Sequence, residues 1–204
     1  MELREALSQI SEIRQQIART EVFRGYRSVP VAFSGVVACA AAVAQSAWIP
    51  EPTSDIRSYL TLWIGAAAVG ILAAAIEMTL RAWHSSRWAR EQTWLAVEQF
   101  LPCVVAGGLL TLVLARSAES ILWVLPGIWS IFFSLGIFAS RRLLPRATFG
   151  VAVYYLVAGL LSLAIAQGEW ALSPWTMGIE FGGGQLLAAV VLYRTLERDH
   201  GQIE

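Results

Sequence analysis

Long apolar runs alternate with short polar segments along the chain after residue 28. Each run holds about 20 residues, the length of helix that crosses a hydrocarbon core roughly 30 Å thick. Most arginines and acidic residues lie in the polar segments between the runs. The pattern predicts six transmembrane spans, at Val29–Trp48, Ser58–Leu80, Val97–Ala115, Ser120–Ala139, Phe149–Gln167 and Pro174–Tyr193.

The predicted spans are helices. Backbone in lipid must satisfy its own hydrogen bonds, which leaves helices or a closed barrel, and barrel strands would alternate polar and apolar residues. Composition agrees, because 56% of the residues are hydrophobic and 15% are charged, whereas about a quarter are charged in a typical soluble domain. We therefore expect an all-α integral membrane protein with six transmembrane helices.

Arginine is distributed unevenly between the two sides of this predicted topology. Five arginines precede the first span, three follow the second, three follow the fourth and two follow the sixth, and only Arg57 and Arg116 lie on the opposite side. The positive-inside rule then predicts that both termini are cytoplasmic. The chain contains no lysine and is rich in alanine, which indicates a GC-rich bacterial genome. We expect a multi-pass protein of the bacterial inner membrane.

The spans also align with one another as three tandem hairpins. The segments SGVVACAAAVAQ, AGGLLTLVLAR and AGLLSLAIAQG belong to the first, third and fifth spans, and Gly65, Gly127 and Gly178 occupy comparable positions in the spans that follow. This pattern predicts a parallel repeat about an axis normal to the membrane. A composition rich in alanine, glycine and leucine would give the same self-similarity without a repeat.

Residues 1–28 precede the first span and carry an apolar stripe at helical spacing. The stripe consists of Leu3, Leu7, Ile10, Ile13 and Ile17. The other faces mix acids with arginines, unlike the basic face of a helix that binds anionic lipid. We expect a cytoplasmic amphipathic helix that binds a partner protein or a second copy of the chain, or folds back under its own bundle. The six-helix bundle would take residues 29–195, and residues 196–204 would form a short cytoplasmic tail.

The segment GIEFGGGQLL places an acid and an amide inside the last predicted span. If the helix begins with Ser173 as N-cap and Pro174 in its first turn, Glu180 lies roughly 9 Å inside the outer boundary at 1.5 Å per residue. Glu180 and Gln185 therefore form a candidate intramembrane polar site, because such residues face protein or a watery cavity. The neighbouring glycines predict close helix packing, at Gly178, Gly182, Gly183 and Gly184. The alternative is a structural carboxyl bonded to Trp129 or to a serine or threonine hydroxyl.

Other chemistry is sparse. His84 and His200 both fall in predicted cytoplasmic segments, so the spans lack a pair of haem ligands, and the chain contains no HExxH motif, nucleophile elbow or P-loop. Cys39 and Cys103 lie singly in apolar runs, as small buried hydrophobes do. The formal charge of zero gives no basic patch for nucleic acid. We expect no enzyme activity, no catalytic residue, no metal site, no cofactor and no nucleic-acid partner.

Two functions of different classes remain open. The first is a non-catalytic membrane module, acting as a subunit, regulator or scaffold that binds a partner or further copies of itself through the N-terminal helix and its Gly/Ala-rich faces. The alternative is a transporter of a small solute, a cation or a proton that uses Glu180 and Gln185. The sequence favours the module, because a transport route needs more polar side chains than one acid and one amide.

Overall fold

A computed structural model describes residues 28–84, 87–166 and 170–198. Within these ranges the long segments are helical and no strand occurs. The amphipathic helix predicted for residues 1–28, including its apolar stripe, lies outside the described residues apart from Ser28. His200 and the rest of the tail from residue 199 lie outside them as well.

Six helices in the described ranges are long and apolar enough to cross a membrane, which confirms the predicted fold class. They are Ser28–Trp48, Ile56–Leu80, Thr93–Ser117, Glu119–Arg142, Thr148–Ile165 and Pro174–Thr195, and are numbered spans one to six below. Each matches one predicted apolar run, with ends that differ by a few residues because several helices continue into polar flanks. The helix of span two continues to His84, and that of span three begins at Arg87.

Spans four and six are composite helices. Span four joins a 3-10 helix (Glu119–Val124), an α-helix (Leu125–Ala139) and a final 3-10 turn (Ser140–Arg142). Span six joins an α-helical turn (Pro174–Met177), a π-helical segment (Gly178–Gly183) and an α-helix (Gly184–Leu192), and a second π-helical segment (Tyr193–Arg198) continues past its end. Pro126 and Pro174 each occupy a first helical turn, where the missing N–H of proline has no intrahelical partner to lose.

Spans that follow each other in the sequence are neighbours in the bundle, and span six also packs along span one. Spans four and five also pack closely together, whereas spans two and three barely contact each other and are the least buried of the six. Gly65 on span two has no heavy atom within 4 Å of a built Cβ, whereas Gly127 and Gly178 lie at helix contacts. The three glycines aligned by the predicted repeat therefore have different surroundings.

Two groups of buried side chains form the core. The Tyr59 cluster joins spans one, two, four and six; besides Tyr59 it contains Ala38, Ala41, Ala42, Ile56, Trp63, Leu122, Leu125, Leu172 and Met177. The Tyr155 cluster joins spans four and five, and contains Ile137, Val151, Ala152 and Tyr155. Phe181 packs against both clusters. The part of span six that carries Phe181 and the preceding residue, Glu180, therefore lies against both halves of the core.

Candidate functional site

Glu180 lies inside the bundle, with only 4% of its surface exposed. It belongs to the π-helical segment of span six, two turns from the start of that span at Pro174. A carboxyl group in this position has lost nearly all contact with solvent, so it needs hydrogen-bond donors from the protein or must be neutral.

A serine hydroxyl from another span supplies such a hydrogen bond. The Oγ atom of Ser130 in span four donates to Oε2 of Glu180, and the Ser162 hydroxyl of span five lies near the same carboxyl. Both serines are buried. The sequence predicted either a hydroxyl or the Trp129 indole as a structural partner of Glu180, and the structure has the hydroxyl. The Nε1 atom of Trp129 donates instead to the Thr111 hydroxyl at 2.8 Å.

A glycine contact brings the two serines to one carboxyl. A Cβ built on Gly127 would stand 2.7 Å from the carbonyl oxygen of Gly159, and one built on Gly159 would stand 2.6 Å from that of Gly127. Backbones this close leave no room for a side chain at either position. Ser130 and Ser162 each follow their glycine by three residues, and therefore lie on the same helix face one turn away.

The π-helical segment has its own tyrosine partner. A π-helical turn shifts the backbone hydrogen bonds by one residue, so one carbonyl loses its usual amide donor where α-helical spacing resumes. The N–H of Gly184 bonds the carbonyls of Glu180 and Phe181, and the carbonyl of Ile179 accepts a hydrogen bond from the Tyr154 hydroxyl at 2.6 Å. Tyr154 thereby stabilises the widened turn that carries Glu180.

The four glycines of span six lie at contacts with neighbouring spans. A Cβ on Gly178 would stand 3.0 Å from Ala42, and one on Gly182 would stand 2.7 Å from Sγ of Cys39; both neighbours belong to span one. On the other side, Gly183 faces Tyr154 and Gly184 faces Tyr155 of span five. These glycines therefore pack within the bundle, between spans one and five.

Gln185 does not join Glu180. Its Cβ lies 3.1 Å from a Cβ built on Gly35 of span one, so the side chain leaves span six on the face toward that span. It is half-buried, and the structure gives it no hydrogen bond to Glu180. The polar pair predicted from the sequence is thus split between two helix faces.

Three tyrosines pack around the segment of span six that carries Glu180. Tyr154 of span five bonds the Ile179 carbonyl, Tyr155 of span five lies against Gly184, and Tyr59 of span two belongs to the cluster on which Phe181 packs. The hydroxyls of Tyr59 and Tyr155 are fully buried and have no hydrogen-bond partner within the described part of the chain. Tyr155 also packs its ring against Phe133 and Phe181, with centroid distances of 4.7 and 5.7 Å. The site therefore combines one acid with several hydroxyls inside aromatic walls.

A second buried polar group, centred on Gln45, was missed by the sequence reasoning. Gln45 is 0% exposed, accepts a hydrogen bond from Trp63 Nε1 at 2.7 Å and donates one to the carbonyl oxygen of Leu172 at 2.7 Å. It ties span one to span two and to the segment before span six. The sequence could have indicated Gln45 in the same way as Glu180, because it is a polar side chain inside a long apolar run.

Other ligand types are scarce in the site. Within residues 28–84, 87–166 and 170–198, no three His, Cys, Asp or Glu side chains group to hold a metal ion. Cys39 and Cys103 are both free and half-buried. The described residues place no arginine against the Glu180 carboxyl. Its hydrogen bonds come from neutral hydroxyls alone, so the charge of an ionised Glu180 would have no counterion there.

Comparisons of the chain with protein-family models, with curated proteins and with solved structures found no match.

Proposed function

We propose that this chain is a multi-pass membrane protein that binds and releases a proton at Glu180, as a proton carrier or a proton-coupled transporter of a small solute. The observation that carries the proposal is the position of the carboxyl: it is buried inside the bundle and accepts a hydrogen bond from a serine hydroxyl of another span. Ionisable groups in this setting typically belong to proton relays or substrate pathways.

A proton is the cation that the site favours. Divalent cations prefer several carboxylate and carbonyl oxygens, whereas Glu180 is the one acid at this position and Ser130 contacts it directly. A proton needs no cavity and no ligand shell. Its binding also removes the uncompensated charge, so the neutral carboxyl suits the closed, apolar bundle.

Proton release would favour a different arrangement of the same helices. An ionised Glu180 carboxyl inside the bundle has serine hydroxyls near it and no counterion, so it gains free energy when water reaches it. Loosening the bundle around the π-helical segment of span six supplies that water. Protonation would thereby couple to a change between a closed and a hydrated state, which is the step that a carrier needs.

The test is proton movement in proteoliposomes, with a pH-sensitive dye inside and an imposed proton gradient. Wild-type protein should move protons faster than empty vesicles, and Glu180→Gln should reduce the rate to that of empty vesicles. Glu119→Gln removes an exposed acid at the start of span four and should leave the rate unchanged. Equal rates for wild type and Glu180→Gln would overturn the proposal.

We also propose a location in the bacterial inner membrane with both termini in the cytoplasm. The arginine distribution supports this orientation, since Arg57 and Arg116 alone oppose it. In this frame Glu180 lies nearer the outer face. With Cys39 and Cys103 replaced by alanine, a single cysteine introduced at Ser54 or at Arg141 would test it: a membrane-impermeant thiol reagent applied to intact cells should label the first, and labelling of the second alone would contradict it.

A second candidate, the non-catalytic partner-binding module, is supported by spans two and three. These two spans barely contact each other and present mostly exposed apolar side chains, a surface that another membrane helix as well as lipid can cover. The predicted amphipathic helix before span one is the other binding element of this proposal. Ile10→Glu with Ile13→Glu in the full chain should therefore abolish self-association or co-purification of a partner, while Gln15→Glu should not. Unchanged mass in detergent and unchanged co-purification would contradict it.

A further inference from the structure

We infer that the hydroxyls of Tyr59 and Tyr155 bind water that carries the proton to and from Glu180. This inference rests on the proposed proton binding, and adds the route and the two side chains that form it. The ligand class is water, alone or as the hydrated proton.

The first observation is that both hydroxyls are buried without a partner. Tyr59 and Tyr155 are each 0% exposed, and neither hydroxyl has a hydrogen bond from any residue that the structure describes. An unpaired buried hydroxyl costs free energy, so native proteins leave few of them. Two such groups, in the two core clusters on which the neighbour of Glu180 packs, indicate a polar partner that is not part of the protein, and water is the usual one.

The second observation is the placement of the two hydroxyls around the acid. Tyr59 of span two belongs to one core cluster and Tyr155 of span five to the other, and Phe181, the neighbour of Glu180 in sequence, packs against both clusters. Tyr155 lies against Gly184, where a Cβ would stand 2.6 Å from its hydroxyl oxygen. The hydroxyls therefore extend the polar site from Glu180 into both halves of an otherwise apolar core.

Hydroxyl groups are suited to pass a proton without taking a charge. A tyrosine hydroxyl both donates and accepts. In the uptake step, a hydronium ion held by a tyrosine hydroxyl loses one O–H bond, an O–H bond forms at a carboxylate oxygen of Glu180, and neutral water stays behind. Release to water is the same step reversed, so atoms and charge balance without a further reactant.

The other titratable groups near Glu180 are not free hydroxyls that could bind water. Tyr154 gives its hydroxyl hydrogen to the Ile179 carbonyl, and Cys39 packs on Gly182. Spans four and five present Ser130 and Ser162 to the carboxyl. Glu180 is therefore the proton acceptor, and Tyr59 and Tyr155 are positioning residues for water.

The experiment uses the full chain in lipid and measures hydrogen–deuterium exchange of the Glu180 carboxyl by infrared spectroscopy after a change to D₂O. The carboxyl band is assigned by its loss in Glu180→Gln. Tyr59→Phe and Tyr155→Phe keep the rings and remove the hydroxyls, and each should slow the exchange by about tenfold or more if it removes a station of the route. Tyr193→Phe changes an exposed tyrosine and should exchange at the wild-type rate.

Unchanged exchange in both phenylalanine variants would overturn the inference. A higher midpoint of thermal unfolding in both would overturn it too, because removing a hydroxyl that has no partner stabilises a protein, whereas removing one that binds water does not. These results leave proton binding by Glu180 intact. Failure of the proposed function itself would give a different result. In that case the wild-type spectrum would contain no carboxyl band that disappears in Glu180→Gln.

Discussion

The Ser130 hydroxyl donates a hydrogen bond to the Glu180 carboxyl across 50 residues of sequence. Both side chains are buried, so the bond joins spans four and six within the apolar interior. The same contact stabilises the bundle and supplies a donor to the proposed proton site. A substitution at this contact should therefore change both stability and proton movement, whereas one at a buried residue away from it should change stability alone.

Ser130→Ala should destabilise the protein and impair proton movement. The carboxyl loses a buried donor, which typically costs about 1 to 3 kcal/mol. Thermal unfolding in detergent measures the first effect and the proteoliposome assay the second. Ser134→Ala is the matched control, since Ser134 is equally buried but donates to the Ala152 carbonyl at 2.7 Å. It should lower stability without changing proton movement, and equal transport rates for both variants would contradict the role of Ser130.

Gly127→Ala should disrupt the contact that aligns the two serines. The added Cβ would stand 2.7 Å from the Gly159 carbonyl oxygen, and overpacking of this kind costs about 1 to 3 kcal/mol. Gly65→Ala adds the same methyl group to span two with nothing within 4 Å, so its unfolding midpoint should not fall. The comparison is a thermal melt of both variants in one detergent, and a normal midpoint for Gly127→Ala would show that spans four and five are packed differently.

Gln45→Leu should be far more destabilising than Gln185→Leu. The first leaves the Trp63 N–H and the Leu172 carbonyl buried without their partner, at about 1 to 3 kcal/mol for each unsatisfied group. The second removes an amide to which the structure gives no hydrogen bond, and should change the unfolding free energy little. Both are measured by denaturant unfolding followed by tryptophan fluorescence. Similar losses for the two variants would argue against the Gln45 contacts.

Tyr154→Phe should weaken the π-helical segment. It leaves the Ile179 carbonyl without the donor that replaces its amide partner, so we expect lower stability and slower proton movement, since Glu180 lies on the same turn. Tyr193→Phe, at an exposed position, provides the control. Wild-type stability in Tyr154→Phe would mean that this hydroxyl is not needed to hold the turn.

The six spans were predictable because lipid imposes one simple rule on the chain, about 20 apolar residues for each crossing. The burial cost of a lone carboxyl likewise identified Glu180 as a residue that needs protein partners. Neither rule depends on which helix packs against which. Both therefore work on the sequence alone.

A serine or threonine hydroxyl was one of the partners predicted for Glu180, but which serine it would be was not predictable, because that depends on packing between spans. Ser130 and Ser162 become neighbours only when Gly127 meets Gly159, and the repeated Gly-x-x-Ser spacing is the one trace of this contact in the sequence. Gln185 was paired with Glu180 from its place on the same helix, but its side chain faces span one at Gly35. The aromatic walls and the unpaired tyrosine hydroxyls also arise from helices far apart along the chain.

Uptake and release of a proton by Glu180 inside the bundle can be observed in the infrared difference spectrum between acid and alkaline samples of the membrane-embedded protein. We expect a carboxyl C=O band that shifts in D₂O, responds to pH and is missing in Glu180→Gln, while Glu119→Gln retains it. A spectrum of Glu180→Gln identical to that of the wild type would contradict it.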